Sequence, residues 1–241
     1  MIEKGGLIPE QPLVAMTEGR MAAKPMISGT VQDEGQLFVY ELFPNPLSET
    51  VYKLLIMGIF GKDAAKQILL LYPMSIGGTE DGRDAFNVLA TDLLFYCPLR
   101  MATRGYQSVL GEESTTTFVY RFDHATSFDC WGPGYEFCFG ENIVCHGSEL
   151  PFEFNVFTDG VDVAYTPTAE EEQLSKDVAN LWANFIHSSN PNSGDYAVPA
   201  HWPQYKAKAD ELLVLDEPGV EVAYHQREKY CDTWDRLGYF Y

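Results

Sequence analysis

Apolar and polar positions alternate along this chain in blocks whose periods distinguish strands from helices. Pro25-Met26-Ile27-Ser28-Gly29-Thr30-Val31 is a compact, largely apolar run bounded by proline and polar residues, which predicts a buried strand. It delivers Asp33-Glu34-Gly35 at its C-terminal end. Thr115 to Phe122 is short and β-rich, a second strand. Leu212 to Leu215 and Val220 to Tyr224 straddle Pro218-Gly219 and predict a short hairpin. Ser48 to Tyr72 reads as a helix capped by Ser48, with Val51, Leu54, Leu55 and Ile59 at helical spacing and Gly61 breaking it in two. Arg83 to Val109 is a second long helical stretch, interrupted at Pro98, with Phe86, Leu89, Leu93 and Leu94 on one face. Thr168 opens the strongest helix. There Glu171 completes a capping box, and Leu174, Val178, Leu181, Trp182, Phe185 and Ile186 form one stripe. A last amphipathic helix runs from about Arg227 to the C-terminus. The segment through Lys24 is an extended arm around one short helix, Pro12 to Glu18, and residues 124–150 form a loop dense in glycine, cysteine and aromatics.

Helix and strand alternate, which is the mark of an α/β fold. Two strands suit a central parallel sheet, whereas a doubly wound sheet normally has about five. The pattern therefore predicts part of an α/β domain with an incomplete sheet. There are no repeats, low-complexity tracts or linkers.

Composition narrows the partners. Thirty-five acidic against 16 basic side chains leave a formal charge of −19. Such a surface repels phosphate backbones and anionic membranes, which require clustered cations, so a nucleic-acid partner is excluded. The start, Met1-Ile2-Glu3-Lys4-Gly5-Gly6, lacks the apolar core of a signal peptide, and no apolar run approaches 18 residues, so no membrane span is expected. Cys97, Cys130, Cys138, Cys145 and Cys231 are an odd set without zinc-type spacing. They are either buried thiols or partly paired in an oxidising compartment with one left over.

Chemistry concentrates in two motifs. His146 lies in Val144-Cys145-His146-Gly147-Ser148-Glu149-Leu150-Pro151. Imidazole is the usual general base at neutral pH, and works best with one ring nitrogen held by a carboxylate. Glu34, at the end of the first strand, is placed to supply that carboxylate. His124, His187, His201 and His225 read as structural or surface groups. No G-x-S-x-G occurs: Gly147-Ser148 lacks the second glycine, and Gly105-Tyr106-Gln107-Ser108 has the wrong spacing. The order acid then histidine fits an α/β-hydrolase triad whose nucleophile would lie upstream of Met1.

Five passages in order resemble the C-terminal part of the type-B carboxylesterase family, which includes the cholinesterases. Residues 25–35 are similar to the family's strand ending in the triad acid, and residues 117–124 (Thr-Phe-Val-Tyr-Arg-Phe-Asp-His) to the strand that follows it. Residues 145–152 resemble its histidine motif. Leu181-Trp182-Ala183-Asn184-Phe185, then Asn190-Pro191-Asn192 and His201-Trp202-Pro203-Gln204-Tyr205, resemble its last large helix and exit. Cys97-Pro98 and Cys231 near Trp234 sit where the family commonly forms a long-range disulfide. The resemblance implies that residues 1–241 are the C-terminal part of a single α/β-hydrolase domain. It assigns Glu34 as triad acid, His146 as base and Glu149 as a buried carboxylate behind it. It further implies Cys97–Cys231 and Cys138–Cys145 bridges, a free Cys130, no metal or organic cofactor, and a small-molecule ester substrate. After Gly35 the chain reads Gln36-Leu37-Phe38, where cholinesterases carry aromatics that contact a quaternary ammonium. Leu37 removes one cation–π platform, so a cholinesterase proper is not implied. Phe38 lines an acyl or alcohol pocket or is an ordinary core aromatic.

The function implied is carboxylic-ester hydrolysis in which this chain holds acid and base while the serine and oxyanion donors belong to a preceding half. Alone it should be inactive or nearly so. The alternatives are a non-catalytic cholinesterase-like adhesion or structural protein, and a small binding protein, which exposed strand edges disfavour. The full-length form is expected in the secretory pathway or secreted, with the cytoplasm as alternative.

Overall fold

The computed structural model describes residues 5–111, 116–158 and 164–239. Thr115, Phe240 and Tyr241, within the predicted second strand and last helix, lie outside them. Four strands form one sheet in the order β1 (Met26–Val31), β2 (Thr117–Phe122), β3 (Glu211–Asp216) and β4 (Gly219–Tyr224). β1, β2 and β3 run parallel, and β4 pairs antiparallel with β3 as the predicted hairpin. The parallel set is thus three strands, not two. The run Leu212-Leu213-Val214-Leu215 is buried throughout, because its alternate residues enter both layers of the core. This continuous apolar pattern suits a strand covered on both faces.

Eight α-helices are described: α1 (Pro12–Thr17), α2 (Glu34–Leu42), α3 (Glu49–Leu71), α4 (Gly82–Thr91), α5 (Cys97–Leu110), α6 (Leu150–Glu153), α7 (Ala169–Ser188) and α8 (Glu228–Leu237). Val119, Leu212 and Val214 face a layer built on Tyr52, Ile56, Ile68, Leu89 and Trp234 from α3, α4 and α8. Phe118, Phe122, Leu213 and Leu215 face the other, built on Phe152, Leu174, Val178, Leu181 and Trp202. The Trp202 indole N–H donates to the Val119 carbonyl at 3.0 Å, which ties the chain after α7 to the sheet.

Three helix expectations are corrected. Val51, Leu54 and Ile59 of α3 are exposed, and the buried positions are Tyr52, Ile56, Ala65 and Ile68. Apolar residues lie on its exposed as well as its buried face, and Gly61, at φ 73°, resets its phase, so spacing alone cannot choose a face. The 83–109 stretch breaks at a wide five-residue turn, Asp92–Tyr96, rather than at Pro98. Pro98 sits in the first turn of α5, where a missing N–H costs nothing. Leu94, at that turn, is exposed, as is Ile186 beyond the buried stripe of α7. α2, starting at Glu34, was not foreseen as a helix.

Candidate active site

β1 ends at Val31, and after the Gln32-Asp33 turn Glu34 is the first residue of α2. Glu34 is buried. Its Oε1 accepts the Val31 N–H at 3.0 Å, which fixes the carboxylate and turns Oε2 toward His146. Gly35 has to be glycine, since a Cβ there would lie 2.6 Å from the Asn87 carbonyl oxygen and 2.8 Å from the Ala90 Cβ. Its N–H donates to Thr91 Oγ1 at 2.9 Å, locking α2 onto α4.

The loop between β2 and α6 brings the second motif. Cys145 forms an isolated parallel bridge with Asp33, extending the β1–β2 sheet by one pair at the end where both motifs emerge. His146 follows directly. Its Nδ1 hydrogen-bonds Glu34 Oε2, joining residues 112 apart in the sequence. The imidazole is half-exposed, whereas the acid behind it is sealed. Two aromatic rings flank it, Phe38 at 5.3 Å and Phe95 at 5.5 Å between centroids, and these two stack on each other. Phe95 went unrecognised in the sequence because a regular helix through Asp92–Tyr96 gives no reason for it to meet the histidine.

His146 and Gly147 form one wall of a cleft of about 760 Å³ lined also by Cys130, Trp131, Leu150, Phe154 and Tyr165. The lining is mainly apolar. Phe38 stands at the imidazole, while Leu37 is buried against Cys138, Cys145 and the rings of Trp131, Tyr135 and Phe137. Cys138 and Cys145 are disulfide-bonded, as are Cys97 and Cys231, and Cys130 is free. Burial pushes the Cys130 thiol upward, away from the reactive thiolate form.

Glu149 occupies the N-cap position of α6 without a side-chain cap hydrogen bond; its carboxyl is largely buried and its Oε2 has no hydrogen-bond partner. Burial raises it to about 7, helped by the like charges of Glu153 and Glu34. Elsewhere, His124 is buried and bonded to Glu171 at 3.1 Å, a structural role, and His187, His201 and His225 are exposed. Asp210, His225 and Glu228 approach one another with metal-type ligand atoms, but Asp210 already serves Arg100, Arg104 and Tyr205.

The arrangement can hold an imidazole in one tautomer, with Nδ1 bound to a buried carboxylate, beside an apolar cleft. Such a pairing is what a general base needs in acyl transfer. Several known proteins are similar to this chain in sequence. The chain is 34% identical over 215 residues to the cAMP-regulated D2 protein of Dictyostelium discoideum, and 30% identical over 234 residues to the Crystal protein of the same organism. These matches cover 88% and 96% of this chain but 37% and 40% of those proteins. The para-nitrobenzyl esterase of Bacillus subtilis (strain 168) is 30% identical over 211 residues, 87% of this chain and 37% of its own length. The chain thus spans about 40% of the curated relatives it matches. A solved PNB esterase superposes with a TM-score of 0.66 at 24% identity over 94% of this chain and 41% of its own, which places the fold as a partial α/β-hydrolase. The family model described as "Carboxylesterase family" matches residues 2–234, and the chain belongs to that family.

Proposed function

We propose that residues 1–241 are the C-terminal, acid- and histidine-bearing part of a single serine carboxylic-ester hydrolase domain. The observation that carries this reading is the Glu34–His146 Nδ1 hydrogen bond at the mouth of an apolar cleft. In this mechanism a serine outside these residues attacks the ester carbonyl, and His146 Nε2 accepts its proton. Glu34 stabilises the imidazolium, and the proton then passes to the departing alcohol. Water repeats the sequence on the acyl-enzyme. The oxyanion donors also come from outside. Support for a missing half comes from β1, whose outer edge has no partner strand among the described residues. That edge is the natural place for a further parallel strand. The substrate is a small-molecule ester, which the mainly apolar lining of the cleft suits. Two disulfides suit an oxidising compartment such as the secretory pathway.

A second reading is a relative that keeps the fold without catalysis. Two of the most similar proteins carry names, Crystal protein and cAMP-regulated D2 protein, that state no esterase activity. A fluorophosphonate probe separates the two. The isolated chain should remain unlabelled. The form extended by its upstream coding sequence should label at one serine, and His146→Ala should abolish that labelling. An extended form that never labels favours the second reading, and labelling that survives His146→Ala removes the role given to the histidine.

A further inference from the structure

The acid turn, the histidine loop and α4 meet at one carboxylate that is neither the acid nor in contact with the imidazole. Asp33 Oδ2 accepts the Val144 N–H at 3.1 Å, and Asp33 Oδ1 accepts the Asn87 Nδ2 at 2.9 Å. Its own N–H donates to the Val144 carbonyl at 3.0 Å, so both backbone groups of Val144 close on Asp33. Asn87 cannot turn its amide freely, because its Oδ1 accepts the Thr91 hydroxyl at 3.3 Å while Thr91 receives the Gly35 N–H. The result is a closed path running Gly35–Thr91–Asn87–Asp33–Val144. It starts one residue after the acid and ends two residues before the histidine.

Without the carboxylate the Val144 N–H would lose its acceptor at a buried position, and the loop would be free to open there. Catalytic pairs need their geometry held within fractions of an ångström by such supporting bonds. We propose that Asp33 is the positioning residue of the Glu34–His146 pair. It sets the register between acid turn and histidine loop through Val144 and Asn87, so that Oε2 meets Nδ1. This rests on the acid–imidazole reading above.

The test uses the 241-residue chain labelled with ¹⁵N-histidine, reading the His146 ring shifts, which report the fraction of Nδ1-protonated tautomer. Thermal unfolding and the backbone amide spectrum of α3 and α8 report whether the fold survives. Asp33→Ala should lower the ratio of Nδ1- to Nε2-protonated imidazole by about tenfold, equivalent to about 1.4 kcal/mol, while the α3 and α8 signals stay in place. Asp33→Asn alone should lower it too, because the amide cannot accept from both Val144 and Asn87. The swap Asp33→Asn with Asn87→Asp restores one donor facing one acceptor and should recover the wild-type ratio, which a merely structural role would not require. Glu34→Gln serves as the reference. If it lowers the ratio while both Asp33 variants leave it unchanged, the positioning role is overturned and the acid–imidazole pair stands. If Glu34→Gln itself changes nothing, pair and positioning role fall together. Should Asp33→Ala not fold, the comparison of Asp33→Asn with the swap decides, and a swap that folds without recovering the ratio overturns the proposal.

Discussion

Gly35 and Glu149 show how much rests on single positions around the histidine. A methyl group at residue 35 would be driven against the backbone of α4, which cannot yield. Gly35→Ala should therefore destabilise the chain by about 2 kcal/mol in urea unfolding, and an unchanged midpoint would contradict the packing described. Glu149 titrates near 7 in the fold, above its value in the unfolded chain. The folded state therefore holds its proton more tightly. Stability from this group is fully present below about pH 4.5 and is lost as pH rises through 7. Glu149→Gln should flatten the fall in stability between about pH 4.5 and 7, and leave the variant about 2 kcal/mol more stable than wild type at pH 8. Parallel pH profiles for the two proteins would exclude it. Glu34 and His146 were legible in the sequence because their motifs carry distinctive neighbours. Asn87, Thr91 and Phe95 were not, since an asparagine, a threonine or a phenylalanine within a helical stretch announces no partner.

Elements obey the same division. The capping box of α7 was readable from Thr168 and Glu171 and is present with both of its bonds. Glu171 does more than cap: Ser127 N–H and His124 also bond its fully buried carboxylate. Burial pushes this carboxyl up, yet the hydrogen bonds from Ser127 and Thr168 prevail and hold it below the usual range. Thr168→Ala should cost about 1 kcal/mol. Glu171→Ala should cost roughly 3 kcal/mol, because it strands several donors in the interior. Equal losses in denaturant melts would mean that the cap is the whole role. For α3 the sequence named the helix and its break at Gly61 but missed its buried face, because apolar residues occupy exposed and buried positions alike and Gly61 resets the phase.

At the scale of the molecule, covalent ties hold the C-terminal helix and the histidine loop to the rest. Cys97–Cys231 closes a span of 134 residues from the start of α5 to α8, while Cys138–Cys145 closes only seven. Loop-closure entropy grows with span, so removing the first by paired Cys→Ser substitution should cost about 5 kcal/mol and removing the second about 2. Thermal unfolding that ranks them the other way would show that local packing outweighs chain entropy. The charge of −19 also acts at this scale, since it opposes association with polyanions whatever the fold.

By itself the sequence determined the alternation of helix and strand, the capped start of α7, the hairpin, and an acid followed by a histidine without a serine elbow. These are local signals, written in residues a few positions apart. Only the tertiary structure decided that β3 joins β1 and β2 as a third parallel strand, that β1 has no partner strand on its outer edge among the described residues, and that Glu34 meets His146. Those outcomes depend on contacts between residues about 100 positions apart, where burial and hydrogen-bond satisfaction select the pairing and local periodicity has no say.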